Sequence, residues 1–541
     1  MSTHFKWYPA SEEVVVPWNA RYSFPSQANK AVKMTPRIPP KNGSTFTPGQ
    51  IIRLEFPAQG YVNPLNTTLE FDVTLNSYGT SGNEIVRFQN QIQSIFNRAR
   101  LLYGATPLED MINYNVIVRG LTEWTATNQT GTMDQTSVAE GVGGYVFGCD
   151  GAGFPGMMNT RQAYIQGIDH SVSSGVTQPL PFVNGSGSGL VPNNYLPSGV
   201  TANGSSYCTR RYQINFAFGL FTQDKLIPTK FMASQLAIEL TLENANACIF
   251  AQPGSASGAT PTYSVSNMNL IPEILEFDAS YDAMFLKGLR EGGVPIKFSS
   301  WHTFIFSTSG AANVNLLVQE RSRSVKALFA VQRRNPSIIT TDSHAFLYDS
   351  SSTNNTLQNY QWRIGGRYFP AAPVQLSTVI GGSVSNGGAE AFVELEKALN
   401  IVGDYRLQTS TNSNRWAVPV ATAAITPGGG TATALPELDY VCSISGWTNG
   451  CPTYKQVSGA ATGIAGSAFA GNTGSCCFTM STDLETSNGV EISGLNAEEQ
   501  SDIALIANWS AAQTSSFVLE VYSYYDAMIV LRENNVLELI Q

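Results

Sequence analysis

Charged residues are scarce in this chain, and their scarcity excludes several classes of protein. Only 13% of the 541 residues are Asp, Glu, Lys or Arg, whereas globular proteins average roughly 25%. Such a composition is poor in the charged faces of helical bundles and suits sheets joined by polar loops. The net charge of -9 also gives no general attraction for nucleic acid, because that attraction depends on clustered Lys and Arg.

Long apolar runs and paired cysteines are missing as well. No stretch approaches the ~18 apolar residues of a membrane-spanning helix, and the first residues do not resemble a signal peptide. We therefore expect no membrane span and no standard secretion. The seven cysteines are scattered and none lies in a Cys-x-x-Cys pair, which favours a reducing compartment.

Catalytic motifs are also lacking. The chain has no G-x-S-x-G elbow, no H-E-x-x-H and no P-loop. The segment 151–156 formally matches G-x-G-x-x-G, but Pro155 and its glycine-rich surroundings do not resemble a strand followed by a helix. The four histidines are far apart in sequence, and they are His4, His170, His302 and His344. We expect no metal site, no cofactor and no enzymatic activity.

A repeated segment predicts a duplicated fold. Ile274–Met284 and Val518–Met528 share six of eleven residues, including Tyr-Asp-Ala-Met in both. The repeat predicts that Tyr281 and Tyr525 occupy equivalent positions in two related domains. The corresponding division is an arm (1–45), a first domain (46–284), a linker (285–296), a second domain (297–533) and a tail (534–541).

Alternation of apolar and polar residues indicates that both domains are all-β. It is clearest at 52–56, 69–75, 214–220, 236–242 and 517–521, and it is typical of antiparallel sheets with one buried face. A turn is predicted at Asn63-Pro64. Helices are predicted only at 106–124, with Thr106 as the cap, and at 389–402. Long Gly/Ser/Asn-rich loops fall at 127–211, 253–262, 410–435 and 456–475.

One local segment departs from the acidic average. Residues 29–43 contain four basic residues and no acidic one. The basic residues are Lys30, Lys33, Arg37 and Lys41. The segment is predicted to be an extended arm, either contacting a polyanion or an acidic partner, or forming a solvated loop without a binding role.

Three longer phrases give the chain a resemblance to a known family. They are 56–73 (FPAQGYVNPLNTTLEFDV), 226–242 (LIPTKFMASQLAIELTL) and the turn 493–496 (SGLN). With the length and the duplication, they resemble the double jelly-roll major capsid proteins of double-stranded DNA viruses, above all those of virophages and polinton-like viruses. The resemblance implies two tandem eight-stranded jelly rolls with short helices and long loops.

The resemblance also implies a function. Such proteins are homotrimers that form pseudohexagonal capsomers, and the capsomers build an icosahedral virion shell around double-stranded DNA inside the host cell. The inserts 127–211 and 410–475 would form outward tower loops. The arm with Lys30, Lys33, Arg37 and Lys41 would lie at the capsid base, facing the interior. Partners would be neighbouring capsomers, penton and minor capsid proteins and, weakly, packaged DNA.

Two alternatives remain open at this point. A β-sandwich that binds or hydrolyses carbohydrate could place two carboxylates on separate strands. The acids on polar strand positions are Asp72, Glu239 and Glu276, and the aromatic residues that could stack on sugar are Trp124, Trp362, Trp416, Trp447 and Trp509. The other alternative is a different virion component, such as a spike or penton.

Overall fold

The protein was studied as a computed structural model that describes most of the chain. The described residues are 31–76, 85–88, 92–125, 145–149, 155–159, 170–171, 207–251, 262–308, 310–335, 357–380, 383–386, 389–401, 443–448, 451–455, 479–485, 492–499, 502–509, 512, 517–532 and 537–541. Lys30 and most of the predicted tower loops 127–211 and 410–475 lie outside them.

Strands dominate the described residues. They are β1 (Ala31–Met34), β2 (Thr45–Phe46), β3 (Ile51–Glu55), β4 (Tyr61–Asn76), β5 (Ile85–Phe88), β6 (Phe96–Tyr103), β7 (Thr106–Ile112), β8 (Tyr145–Cys149), β9 (Pro155–Asn159), β10 (His170–Ser171), β11 (Tyr207–Asn215), β12 (Leu236–Leu242), β13 (Ile249–Ala251), β14 (Tyr263–Phe277), β15 (Val294–Ser307), β16 (Asn313–Val318), β17 (Val325–Arg334), β18 (Leu357–Ile364), β19 (Arg367–Gln375), β20 (Ser377–Ile380), β21 (Ser383–Asn386), β22 (Ser443–Thr448), β23 (Cys451–Lys455), β24 (Met480–Asp483), β25 (Ile503–Trp509), β26 (Phe517–Leu531) and β27 (Leu537–Ile540).

The helices are short. They are α1 (Tyr114–Thr125), α2 (Gly219–Thr222), α3 (Ala245–Cys248), α4 (Ala279–Glu291) and α5 (Ala389–Ala398), with 3₁₀ turns at Ile92–Ile95 and Thr229–Phe231. None of these helices is long and apolar enough to span a membrane. The predicted helix at 389–402 corresponds to α5.

The helix predicted from Thr106 to Trp124 was wrong in its first third. Residues Thr106–Ile112 form the strand β7, and the helix begins only at Tyr114. The reason is Gly104, whose φ of 60° lets the chain reverse in a two-residue turn and pair β7 with β6. Thr106 and Pro107 therefore follow a hairpin turn and do not start a helix.

Two antiparallel sheets form the first sandwich. One has the order β1-β14-β4-β11 and the other β3-β12-β6-β7. The alternating apolar side chains of both sheets meet in the core, where Phe71 of β4 packs on Phe96 of β6 with ring centroids 5.7 Å apart. The predicted turn at Asn63-Pro64 was wrong, since β4 runs through it. Residues 64–67 lie opposite Pro272 alone, and this bulge tolerates a proline that cannot donate to a ladder.

The second sandwich repeats the strand order of the first. Its sheets are β15-β26-β17-β24 and β16-β25-β18-β19. Each sandwich has eight strands in these two sheets, and they can be numbered one to eight along the chain. In both sandwiches one sheet then has the order 1-8-3-6 and the other has the order 2-7-4-5. Trp362 and Tyr360 are fully buried in the second core. Two copies of one topology therefore lie in the chain.

The repeated sequence segment does not mark equivalent positions. In the first sandwich Val62 forms an isolated bridge to Ile227 and pairs with Ile274 of β14. In the second sandwich Val325 forms the matching bridge to Leu495 and pairs with Tyr525 of β26. The equivalent of Tyr525 is thus Ile274.

The prediction that Tyr281 matches Tyr525 was therefore wrong. Tyr281 lies in α4, because Asp278 caps that helix by accepting a hydrogen bond from the backbone N–H of Ala279 at 2.8 Å. The matching segment continues as strand β26. The duplication itself is carried by strand order and by the two bridges.

Helix α4 connects the sandwiches. It follows β14 directly and ends at Gly292 and Gly293, and Gly293 has a φ of 90°. Most of the segment 285–296, the predicted linker, is therefore the second half of α4 and the start of β15. The two sandwiches are thus connected by a helix, and the chain changes direction abruptly at the two glycines that follow it.

Candidate functional site: the seam between the two sandwiches

Three basic residues of the arm lie within the described residues, and all three contact the first sandwich. Lys33 pairs with Glu273, Arg37 with Glu70 at 3.3 Å, and Lys41 with Glu55 at 3.1 Å. Strand β1 adds to the edge of the sheet by pairing with β14. The three cations nevertheless keep 58–61% of their side-chain surface exposed.

Of the three carboxylates considered for sugar hydrolysis, Asp72 and Glu276 lie on β4 and β14 of one sheet and Glu239 lies on β12 of the other. Asp72 lies on β4 and binds Arg211 at 2.7 Å, whereas Glu239 lies on β12 of the other sheet and binds Arg53 at 3.0 Å. Trp124, Trp362 and Trp509 are buried. Asp72 and Glu239 therefore each take part in a structural ion pair, and the two pairs lie on different sheets. Trp416 lies outside the described residues, and Trp447 lies in β22.

His302 has a structural partner of its own. Its Nδ1 lies 3.2 Å from Glu320 Oε2, and Glu320 also accepts hydrogen bonds from the backbone N–H and hydroxyl of Ser322 at 2.9 and 2.7 Å. Burial alone would raise the pKa of Glu320, but His302 and Ser322 outweigh it and lower the pKa to about 2. Among the described residues, no cluster of three His, Cys, Asp or Glu side chains could hold a metal ion.

A set of buried polar contacts lies where the sandwiches meet. We call this region the seam, defined by Glu109, Asn113, Trp124 and Gly219 of the first sandwich and Ser300, Phe329 and Glu520 of the second. The carboxylate of Glu109 accepts hydrogen bonds from the backbone N–H groups of Gly219 and Leu220 at 2.8 and 2.9 Å and from the hydroxyl of Ser300 at 2.7 Å. It joins β7 and α2 to β15.

Gly219 allows the backbones of the two sandwiches to touch. A Cβ atom at this position would overlap the carbonyl oxygen of Ser299 and lie 2.7 Å from its carbonyl carbon. Real Cβ atoms do not approach backbone so closely. Any larger residue would push α2 away from β15 and pull the donors of Gly219 and Leu220 from Glu109.

A second buried contact crosses the seam beside the first. The side-chain amide of Asn113 donates to Glu520 Oε1 at 2.9 Å. Glu520 is fully buried and also accepts from Arg333 at 2.6 Å and from the hydroxyl of Tyr522 at 2.5 Å. Burial and the neighbouring Glu520 raise the pKa of Tyr522. The ion pair of the second sandwich is thus completed by a residue of the first.

Aromatic packing completes the seam. Trp124, near the end of α1, stacks on Phe329 of β17 with ring centroids 5.3 Å apart and an angle of 13°. Trp301 of β15 packs on Phe329 as well, at 5.5 Å. Both tryptophans are almost fully buried. Separation of the sandwiches would expose these rings and remove a hydrogen-bond partner from a buried ion pair.

Sequence reasoning missed the seam residues. The helix predicted at 106–124 places Glu109 in its first turn, and the alternation at 517–521 places Glu520 on the polar face of a strand. The segment 493–496 contains one indication of a close contact, Gly494, because a Cβ atom at this position would lie only 2.6 Å from the Val325 backbone. This close approach fixes the loop that makes the Val325–Leu495 bridge.

The sequence matches no protein-family model and no curated protein sequence. Solved structures do match the fold. The cryo-EM structure of the Sputnik virophage aligns with a TM-score of 0.51 and 11% identity over 98% of this chain and 92% of that chain. The Faustovirus major capsid protein aligns with a TM-score of 0.50 and 9% identity over 96% and 93%.

The fold is a double jelly roll. Both alignments run through the two sandwiches and not through one of them, since each covers more than nine-tenths of both chains. The repeated strand order and the two matched bridges describe the same architecture. In the double jelly roll the seam is the internal joint between the first and the second roll.

Proposed function

We propose that this double jelly roll is the major capsid protein of a double-stranded DNA virus. In this proposal it has a structural role, not a catalytic one, and forms homotrimeric, pseudohexagonal capsomers that assemble into an icosahedral virion shell. The observation that carries the proposal is the pair of topologically equivalent rolls joined through a buried seam. A duplicated roll lets a threefold object present six similar blocks.

The seam itself suggests how copies would join. Within the chain, β7 and α1 of the first roll meet the sheet β15-β26-β17 of the second. The corresponding elements are β19 and α5 of the second roll and the sheet β1-β14-β4-β11 of the first. They take no part in the seam. If the same contact repeats between copies, the second roll of one copy packs against the first roll of the next, and a ring closes.

Exposed apolar side chains on those elements support this arrangement. Tyr368 of β19 and Val393 of α5 are 47% and 41% exposed. Side chains of this kind favour burial in an interface, and an obligate interface of the expected kind buries roughly 2,000 to 5,000 Å². The contact between copies would cover both.

Sedimentation of the purified chain tests the trimer. We expect a particle of three times 58.3 kDa at micromolar concentration, and the double variant Tyr368→Glu and Val393→Glu should yield a folded monomer. The control is Ile51→Glu, which places one such charge on an apolar side chain that is 45% exposed on the first roll. A wild-type chain that stays monomeric would contradict the proposal.

The basic arm is proposed to face the capsid interior and to contact packaged DNA or minor capsid proteins. Replacing Lys30, Lys33, Arg37 and Lys41 with Gln should lower genome retention or particle yield. The control replaces four exposed cations elsewhere that each have an acidic partner in the chain, which are Lys225, Lys287, Arg323 and Arg532. Equal DNA content in both sets of particles would contradict the proposal that the arm contacts packaged DNA.

A further inference from the structure

Glu109 is a buried carboxyl group held between the rolls by neutral donors. Its side chain is almost fully enclosed, with 1% of the residue exposed. Its partners are the two backbone N–H groups of α2 and the Ser300 hydroxyl of β15. These three donors bring no full positive charge to offset the cost of burying a carboxylate.

The titratable groups around Glu109 come from its own strand and from elements packed beside it. On its own strand, Asp110 pairs with Arg98 of β6. From β26, the Tyr525 phenol faces the site, and its pKa is raised by burial and by the charge of Glu109. The His302 ring of β15 lies 4.1 Å from the Tyr525 ring and faces Glu320 on its other side. From α2 only backbone groups contact the carboxyl group.

We propose that Glu109 is a proton-operated contact between the two rolls, which tightens the seam when it is protonated and weakens it when it is ionised. The protonated group has a place for its hydrogen. A proton on Oε2 can be donated to Ser300 Oγ once that hydroxyl turns from donor to acceptor. Oε1 then remains a carbonyl oxygen that accepts from Leu220.

The direction of the pH effect follows from burial, which raises the pKa of Glu109 to about 7 from its ordinary value of 4.5. A raised pKa in the folded state gives stability that is fully present below about pH 4.5 and is lost as pH rises through about 7. Over that window the unfolding constant should change by roughly 300-fold, about tenfold for each pH unit.

The test compares the wild-type chain with Glu109→Gln, which keeps the shape of the side chain and cannot ionise. We expect hydrogen exchange of the Gly219 and Leu220 amides, measured by mass spectrometry, to accelerate in the wild type relative to the variant between pH 5 and pH 8. Each pH is compared only between proteins, so intrinsic exchange cancels. Glu276→Gln, at an exposed carboxyl group on β14, should behave like the wild type. Parallel pH profiles for the wild type and Glu109→Gln overturn the proposal.

An infrared titration of the wild type keeps the proposal testable if Glu109→Gln does not fold. A protonated carboxyl band should persist above pH 6. Ser300→Ala removes the hydroxyl that donates to the carboxylate and accepts from the protonated acid, so it should shift the midpoint of this band. A band that disappears below pH 5, or one that Ser300→Ala leaves unchanged, refutes the assignment.

Discussion

Replacing Asn113 with aspartate tests the seam at the point where it completes a buried ion pair. The change keeps the shape of the side chain but turns a donor at 2.9 Å from Glu520 into a second acceptor. A hydrogen bond to a charged group, worth about 1.5–3 kcal/mol, is lost. Two carboxylates about 3 Å apart repel by about 5 kcal/mol at an effective dielectric constant of 20. Arg333 offsets part of this, so we expect a loss of about 3–6 kcal/mol in unfolding free energy.

The assay is denaturant unfolding followed by tryptophan fluorescence, since Trp124 and Trp301 lie at the seam. Asn267 supplies a matched control. It also has a positive φ and donates to a carboxylate, Asp72, at 2.8 Å, but it lies on an exposed face, where Asn267→Asp should cost less than about 1 kcal/mol. Equal losses for the two variants would show that Asn113 is not buried against Glu520.

Two further predictions concern packing and acid stability. Gly219→Ala should destabilise the chain by about 1–3 kcal/mol or more, because its Cβ meets the Ser299 backbone. Gly288→Ala, in open space within α4, should instead stabilise the chain by about 0.5–1 kcal/mol. Thermal unfolding of both variants measures these effects, and a Gly219→Ala variant as stable as the wild type would contradict the close approach. Glu320, with a pKa lowered to about 2, should contribute roughly 3 kcal/mol above pH 4.5 and lose it as pH falls towards 2. Glu320→Gln should therefore be less stable at pH 7 and flatter between pH 5 and 2 in an acid titration, and an unchanged acid profile would argue against the His302–Glu320 contact.

The sheets could be predicted from sequence because their signal is local. Alternation at 69–75 or 236–242 states which face of a strand is buried, whatever the neighbouring strand is. The errors occurred where a distant contact or a turn decided the outcome. Gly104 turned the expected helix at Thr106 into a hairpin strand, and the bulge opposite Pro272 carried β4 through Pro64.

The seam could not be predicted in the same way. Asn113 and Glu520 are 407 residues apart, and no local pattern relates them. The repeated segments, 274–284 and 518–528, begin in the correct pair of strands, β14 and β26, but give the wrong register. Tyr281 lies seven residues beyond Ile274, the equivalent of Tyr525, and the helix capped by Asp278 has already begun there. Register depends on which residues of two strands pair with each other, and a single sequence does not contain that information directly.

The helical connection between the rolls has a kinetic consequence. Because α4 spans 13 residues, or about 20 Å of stiff chain, it keeps the second roll beside the first at an effective concentration that is of the order of millimolar for short tethers. The joint inside one chain thus forms at any dilution, whereas contacts between chains obey mass action. Folding of the tandem pair is therefore separated in time from any association of several molecules, and concentration alone can govern when that later step begins.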